Sequence, residues 1–147
     1  MNSKNIFLDL SFYRLSLLDF LYESHPMLTY DEKFISARAE AALNAYEQAV
    51  VNGSSPIEAE REANEVLFFG LHFSKHDMLK NILWNEFSKE IPEDEAAIFT
   101  VKFMGDCESI FAKYTTLSDD FAYLPEYDIL YTELTGKIAI LIETDNP

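Results

Sequence analysis

Apolar residues recur at helical spacing along nearly all of this chain of 147 residues. Residues three or four positions apart share one face of an α-helix, so this period indicates amphipathic helices. Glycine and proline number only four and five, which argues against a loop-rich or many-stranded fold. The length also suits one domain with one hydrophobic core. The sequence therefore predicts an all-α, single-domain array of about five to six packed helices spanning residues 1–147.

The first helix is predicted from about Leu8 to Ser24, because Pro26 disfavours helical geometry in the residue before it. Asp9, Arg14 and Asp19 interrupt its apolar run with charge, so the segment is typical of an amphipathic helix rather than a membrane span. With no signal peptide recognised at the start, a cytoplasmic protein is expected. The positions predicted to be buried are Leu8, Phe12, Leu15, Leu18 and Leu21.

The second and third predicted helices have clear ends. The second begins near Thr29 or Asp31 and stops at Asn52-Gly53, where glycine suits the left-handed residue after a helix. The third begins with a capping box, in which Ser55 is the N-cap and Glu58 lies three residues later. Small and apolar residues on one face of the second helix would let a neighbouring helix approach closely: Ile35, Ala39, Ala42, Tyr46 and Ala49.

Two further segments are less regular. A fifth helix is predicted from Pro92, and the acidic run 93–95 in its first turn complements the positive end of the helix dipole. Residues 127–143 fit a helix through the spacing of Tyr131, Leu134, Ile138 and Leu141, or a hairpin that turns at residues 135–136. A lone hairpin beside five helices is unusual, so the helix is favoured.

The charge balance excludes several function classes. The chain has 26 acidic and 11 basic residues, a formal net charge of -15. Because nucleic acids and anionic membranes need clustered lysine and arginine, direct binding to either is not expected. The excess of carboxylates is typical of a solvated acidic surface. It also fits a basic protein partner, or mimicry of DNA in which carboxylates stand in for phosphates.

No catalytic constellation is apparent. Cys107 is the single cysteine, which leaves no intramolecular disulfide, and its place on an apolar stripe predicts a buried, unreactive thiol. No Gly-x-Ser-x-Gly motif and no phosphate-binding glycine loop occur. The carboxylates are too numerous for their spacing to identify a general acid and base. We therefore predict no cofactor and no catalytic residue.

His72 and His76 are the candidate metal ligands. On one continuous helix they would lie about 40° apart, which suits a shared divalent ion with Glu65 as a further ligand. The local signals favour a joint between two helices instead. Gly70 stops the third helix and Ser74 caps the fourth. Asp77 completes the capping box, and Phe73 with Met78 forms a hydrophobic staple.

Tyr123, Tyr127 and Tyr131 are the candidate partner-binding residues. They lie beside acidic groups in the segment 123–131. Exposed tyrosines are enriched at protein interfaces. The alternative is core packing with the hydroxyl groups left in water.

Several stretches resemble a small family of uncharacterised proteins from Bacteroides-type bacteria that is often found with conjugative transposons. The resemblance covers nearly the whole chain and implies a multihelical fold, a bacterial cytoplasm and an accessory role around a mobile element. It implies no catalytic residue, because the family offers none. The stretches are YRLSLLDFLYESHP (13–26), FISARAEAA (34–42), ANEVLFFGLHFSKHD (63–77), NILWNEF (81–87) and LSDDFAYLPEYDILYTELTG (117–136).

The sequence leaves the molecular function unknown and favours a small acidic module that binds a protein partner. The first alternative is a DNA-mimic inhibitor of a DNA-binding protein. The second is a metal-dependent enzyme that uses His72 and His76.

Overall fold

The computed structural model describes residues 3–114 and 117–145, which contain six α-helices and three short 3₁₀ turns joined by loops. The side chains of residues 3–9 and 145 lie outside that description. No strand occurs within the two described ranges, so the predicted all-α class is confirmed. The elements are α1 (Ser3–Ser24), a 3₁₀ turn (Pro26–Tyr30), α2 (Glu32–Val51), α3 (Pro56–Leu67), α4 (Lys75–Glu86), a 3₁₀ turn (Glu93–Glu95), α5 (Ala96–Phe111), a 3₁₀ turn (Phe121–Tyr123) and α6 (Pro125–Asp145).

Most of the predicted helix ends are found in the structure. Asp31 caps α2 through the Phe34 N–H, and Ser55 caps α3 through the Glu58 N–H at 3.2 Å. After α2, Gly53 takes a left-handed φ of 93°. The N–H groups of residues 53 and 54 donate to the carbonyls of residues 50 and 49, which is the Schellman arrangement.

The prediction for the fifth helix is wrong at its start. That helix begins at Ala96 rather than at Pro92, because Pro92 is extended and the acidic run 93–95 forms a separate 3₁₀ turn. The first turn of α5 itself contains no acidic residue.

The chain divides into two compact units, Met1–Leu71 and His72–Pro147. In the N-terminal unit, α1, α2 and α3 surround a core rich in alanine and leucine. Alanines on the predicted face of α2 are fully buried, as are alanines of α3, so the helices pack with small side chains between them. The buried members of this core are Tyr13, Leu17, Leu21, Ile35, Ala39, Ala42, Leu43, Ala63, Leu67 and Leu71.

In the C-terminal unit, α4, α5 and α6 surround an aromatic core. Phe121 lies at its centre, with ring contacts to Phe73 at 5.0 Å and to Tyr114 and Tyr127 at 6.1 Å between centroids. The buried members are Met78, Leu79, Ile82, Leu83, Ile91, Phe103, Cys107, Phe111, Phe121, Leu130, Leu134 and Ile138.

The prediction of which face of α1 is buried is wrong in part. Leu21 is buried and Leu18 is partly buried, but Phe12 and Leu15 are exposed, and the buried stripe is Tyr13, Leu17 and Leu21. The side chain of Leu8 lies outside the described residues. Because apolar residues occupy several faces of α1, spacing alone did not identify the face that packs on α2.

At the C-terminal end, the helical alternative is confirmed and the hairpin is not found. The helix α6 runs without a break through Gly136, and Leu130, Leu134 and Ile138 form its buried stripe. Among the described residues, no helix combines the length and the apolar character needed to cross a membrane.

Candidate functional site

The segment between α3 and α4 places His72 outside a helix and His76 inside one. The helix α3 ends at Leu67, and α4 begins at Lys75. Ser74 accepts the Asp77 N–H at 3.0 Å, as the capping box predicted. The two histidines therefore lack the spacing that one continuous helix would give them.

Each histidine has its own local surroundings. The His72 backbone N–H donates to Asp119 at 3.0 Å, while its side chain is exposed. The His76 ring is largely buried and lies 3.5 Å from the Asp77 carboxylate, a long contact. Glu65 is exposed on α3. In the ranges 3–114 and 117–145, no three His, Cys, Asp or Glu side chains are grouped to hold a metal ion, so the metal site stays a prediction without support from geometry.

Cys107 lies in the aromatic core with no exposed surface. Burial, with a smaller contribution from Asp106, raises the pKa of its thiol to about 11. Since the thiolate is the reactive form, this cysteine is protonated and unreactive near neutral pH.

The three candidate tyrosines have different environments. Tyr123 is 87% exposed, but Tyr127 and Tyr131 are partly buried on α6, with 6.3 Å between their ring centroids. The Tyr131 hydroxyl donates to Glu86 at 3.1 Å, and burial raises the pKa of both tyrosines. Of the three, Tyr123 alone presents a largely exposed ring.

The exposed side of α1 carries large apolar side chains. The sequence predicted that Phe12 and Leu15 would be buried, and it gave no prediction for Tyr22. Phe12, Leu15 and Tyr22 are 54%, 62% and 63% exposed. At about 100° per residue they lie within about 80° of one another around the helix. We call these three residues the α1 arc. Asp19 is exposed within the same arc of the helix.

A second feature of the surface is an open cavity of about 200 Å³ in the C-terminal unit. We call it the Trp84 cavity, after the single tryptophan of the chain, which is 52% exposed. Spacing in the sequence did not reveal it, because its walls come from α4, the following loop and the start of α5. Its lining residues are Leu83, Trp84, Ser88, Ile91, Glu93 and Ala96.

Comparisons with known proteins give a family and a solved structure. The sequence profile of the family described as "Domain of unknown function (DUF1896)" matches residues 6–146. The crystal structure of protein PG0816 from Porphyromonas gingivalis is similar to this chain, with a TM-score of 0.92, 42% identity and coverage of 97% of each chain. No curated protein matches significantly. The link to conjugative transposons stays a prediction.

Proposed function

The chain belongs to the DUF1896 family, whose description states no activity, and we propose that it is a small acidic module that binds a basic protein partner through the α1 arc. The proposal includes an accessory role around a mobile element in a bacterial cytoplasm, as the resemblance implies. The observation that carries it is the α1 arc itself.

The α1 arc is unusual because α1 is apolar on two opposite sides. One side packs Tyr13, Leu17 and Leu21 into the N-terminal core. A helix that is apolar all round is normally buried all round. Exposed apolar patches that include aromatic rings are typical of protein interfaces, where such side chains supply most of the binding energy. The exposed side of α1 therefore supports a docking surface.

The net charge favours a basic partner over a second copy of the chain. Two copies would each carry a formal net charge of -15 over the whole chain, and like charges oppose association. Asp19 is exposed on the same side of α1 as the α1 arc, and Glu23 is exposed beside it. A partner with lysine or arginine around an apolar centre would match this arrangement and associate faster at low salt.

The test is a capture experiment with matched variants. Tagged protein is incubated at near-physiological salt with lysate of the bacterium that encodes it, and captured proteins are identified by mass spectrometry. We expect a basic protein to be recovered by the wild type and lost with the double variant Phe12→Ser, Leu15→Ser. The control is Ile57→Ser, Ile98→Ser, which removes two exposed apolar side chains outside the α1 arc and should retain the partner.

Two outcomes would contradict the proposal. Equal recovery by the arc variant and the control variant would show that the α1 arc is not the docking surface. A wild type that is dimeric by light scattering and becomes monomeric in the arc variant would assign the surface to a second copy. The DNA-mimic and metal-enzyme alternatives stay predictions from the sequence.

A further inference from the structure

We propose that the Trp84 cavity binds the guanidinium group of an arginine side chain. The inference rests on the proposed function in one respect, that the partner is basic. It concerns a different surface from the α1 arc, and its experiment requires no partner protein.

Local hydrogen bonds fix the walls of the cavity. The Phe87 N–H donates to the Leu83 carbonyl at 3.1 Å, and the Ile91 N–H donates to the Phe87 carbonyl at 2.8 Å. These bonds hold the loop after α4 against the end of that helix. Leu83, Ile91 and Ala96 are buried on the inner side. The cavity is therefore formed in advance, which lowers the entropy cost of binding.

The size of the cavity suits one side chain. Pockets for drug-sized ligands are typically about 300–1,000 Å³. The Trp84 cavity has about 200 Å³, which matches a single long side chain or a small amine better than a metabolite or cofactor.

The chemistry of the lining matches a guanidinium ion. An indole attracts cations more strongly than the other aromatic rings, and arginine stacks on aromatic faces. Glu93 supplies a carboxylate that can accept charge-assisted hydrogen bonds. Leu83 and Ile91 offer apolar surface for the alkyl stem of an arginine. The N-terminal unit already contains one such contact, in which the Arg38 guanidinium lies 4.8 Å from the centre of the Phe34 ring.

The surrounding charge favours a cation. The segment 86–95 contains five acidic residues and one lysine. Among the described residues, the carboxylate of Glu93 has no hydrogen-bond or ion-pair partner. Glu93 is exposed, and its backbone carbonyl accepts the Ala96 N–H. A positively charged ligand would therefore not need to displace an existing ion pair.

The experiment uses the single tryptophan as its reporter. Because the chain has one tryptophan, a proton–nitrogen correlation NMR spectrum of the protein contains one indole N–H signal. We titrate N-acetylarginine amide, and as the neutral analogue N-acetylcitrulline amide. We expect a saturable shift with arginine, with a dissociation constant on the order of millimolar, and at least about tenfold weaker binding of citrulline.

Variants then test the lining. Glu93→Gln should weaken arginine binding about three- to tenfold, while Glu62→Gln, which removes an exposed carboxylate from α3, should leave it unchanged. Ser88→Leu places an apolar side chain at the exposed edge of the cavity and should abolish binding; an unchanged helical circular dichroism spectrum would show that the fold is intact.

Three results would overturn the inference. The first is a titration with N-acetylarginine amide that does not saturate below about 100 mM, since such binding is far weaker than that of a millimolar site. The others are equal binding of the citrulline analogue and equal weakening of arginine binding by Glu93→Gln and Glu62→Gln. None of these bears on the capture experiment with the α1 arc, so the two proposals fail separately.

Discussion

The two compact units build their cores from different side chains. In the N-terminal unit, Ala39, Ala42 and Ala63 lie buried on α2 and α3. In the C-terminal unit, Phe103 and Phe121 are among the largest fully buried residues. One unit packs small residues between its helices, while the other packs aromatic rings among aliphatic side chains.

This difference predicts that the two units differ in the change of side-chain volume that destabilises them most. Protein interiors are close-packed, so both the removal and the addition of volume are destabilising. A core of alanines has little side-chain volume to lose but no room for more. A core of rings in edge contact loses many dispersion contacts when one ring is removed. Truncation should therefore damage the C-terminal unit most, and enlargement should damage the N-terminal unit most.

The largest expected effect is that of Phe121→Ala. Phe121 has no exposed surface and contacts three other aromatic rings. Its removal should lower the free energy of unfolding by about 3–5 kcal/mol, from lost burial and the cavity left behind. Chemical denaturation followed by circular dichroism measures this. Tyr123→Ala, in the same 3₁₀ turn but 87% exposed, is the control and should change it by less than about 0.5 kcal/mol.

The same variant also tests the predicted single domain. If residues 1–147 fold as one cooperative domain, hydrogen exchange should accelerate in both units of Phe121→Ala. Acceleration restricted to His72–Pro147, the C-terminal unit, would contradict that prediction. It would also show that the two units, which have different cores, open separately.

The next effect in size is that of Ala42→Leu. Ala42 is fully buried on α2, so three added carbons must displace a neighbouring helix, at a cost of about 1–3 kcal/mol. Ala41→Leu on the same helix is exposed and should be nearly neutral, because leucine and alanine have similar helix propensities. Equal stability of the two variants would show that the alanine core is loosely packed.

The N-cap residues allow another comparison of the two units, in which the expected losses of stability are smaller. Ser55 and Ser74 each accept one backbone N–H, at 3.2 and 3.0 Å. Replacing either with alanine should cost about 0.5–2 kcal/mol. Ser74→Ala should cost more, because Ser74 is buried and water cannot replace the lost hydrogen bond. Thermal melting checks the order, and a larger loss with Ser55→Ala would contradict it.

Local chemistry explains what the sequence predicted about the fold. The caps at Asp31, Ser55 and Ser74 and the glycine at residue 53 act within a few residues, so their spacing identifies them. The alanine face of α2 was predicted from its helical spacing, since the residues on the other faces are mostly polar or small. The buried face of α1 was not, because Phe12 and Leu15 satisfy the same helical period as Leu17 and Leu21.

The surfaces were harder to predict than the fold. Whether an apolar residue is exposed depends on which face a neighbouring helix covers, and the sequence does not state this. The Trp84 cavity joins residues 83 to 96 through a loop that combines local hydrogen bonds with the packing of Ile91 in the C-terminal core. The sequence does not state that packing. By contrast, the joint at His72 was predicted, because the cap at Ser74 is a local signal.

The smallest expected effect comes from a comparison of one hydrogen-bonded contact in each unit. The comparison concerns how far each contact is weakened at low pH. In the N-terminal unit, Arg38 donates to the backbone carbonyl of Phe69 at 2.6 Å, a hydrogen bond that involves no carboxylate. In the C-terminal unit, Glu133 of α6 accepts hydrogen bonds from Lys113 at 2.9 Å and Tyr114 at 2.8 Å. The hydrogen bond from Lys113, and then that from Tyr114, lowers the pKa of Glu133.

A carboxylate with a depressed pKa in the folded state stabilises the fold fully above the pKa of the unfolded chain, and its contribution is lost as the pH falls. The melting temperature of the wild type should therefore exceed that of Glu133→Gln by a margin that is constant at pH 6 to 7. The margin should be small, because the carboxylate is partly exposed and solvent screens the interaction. The margin should shrink below the ordinary glutamate value of 4.5 and disappear near pH 3. A margin that persists to pH 3 would mean that Glu133 stabilises α6 by packing rather than by charge.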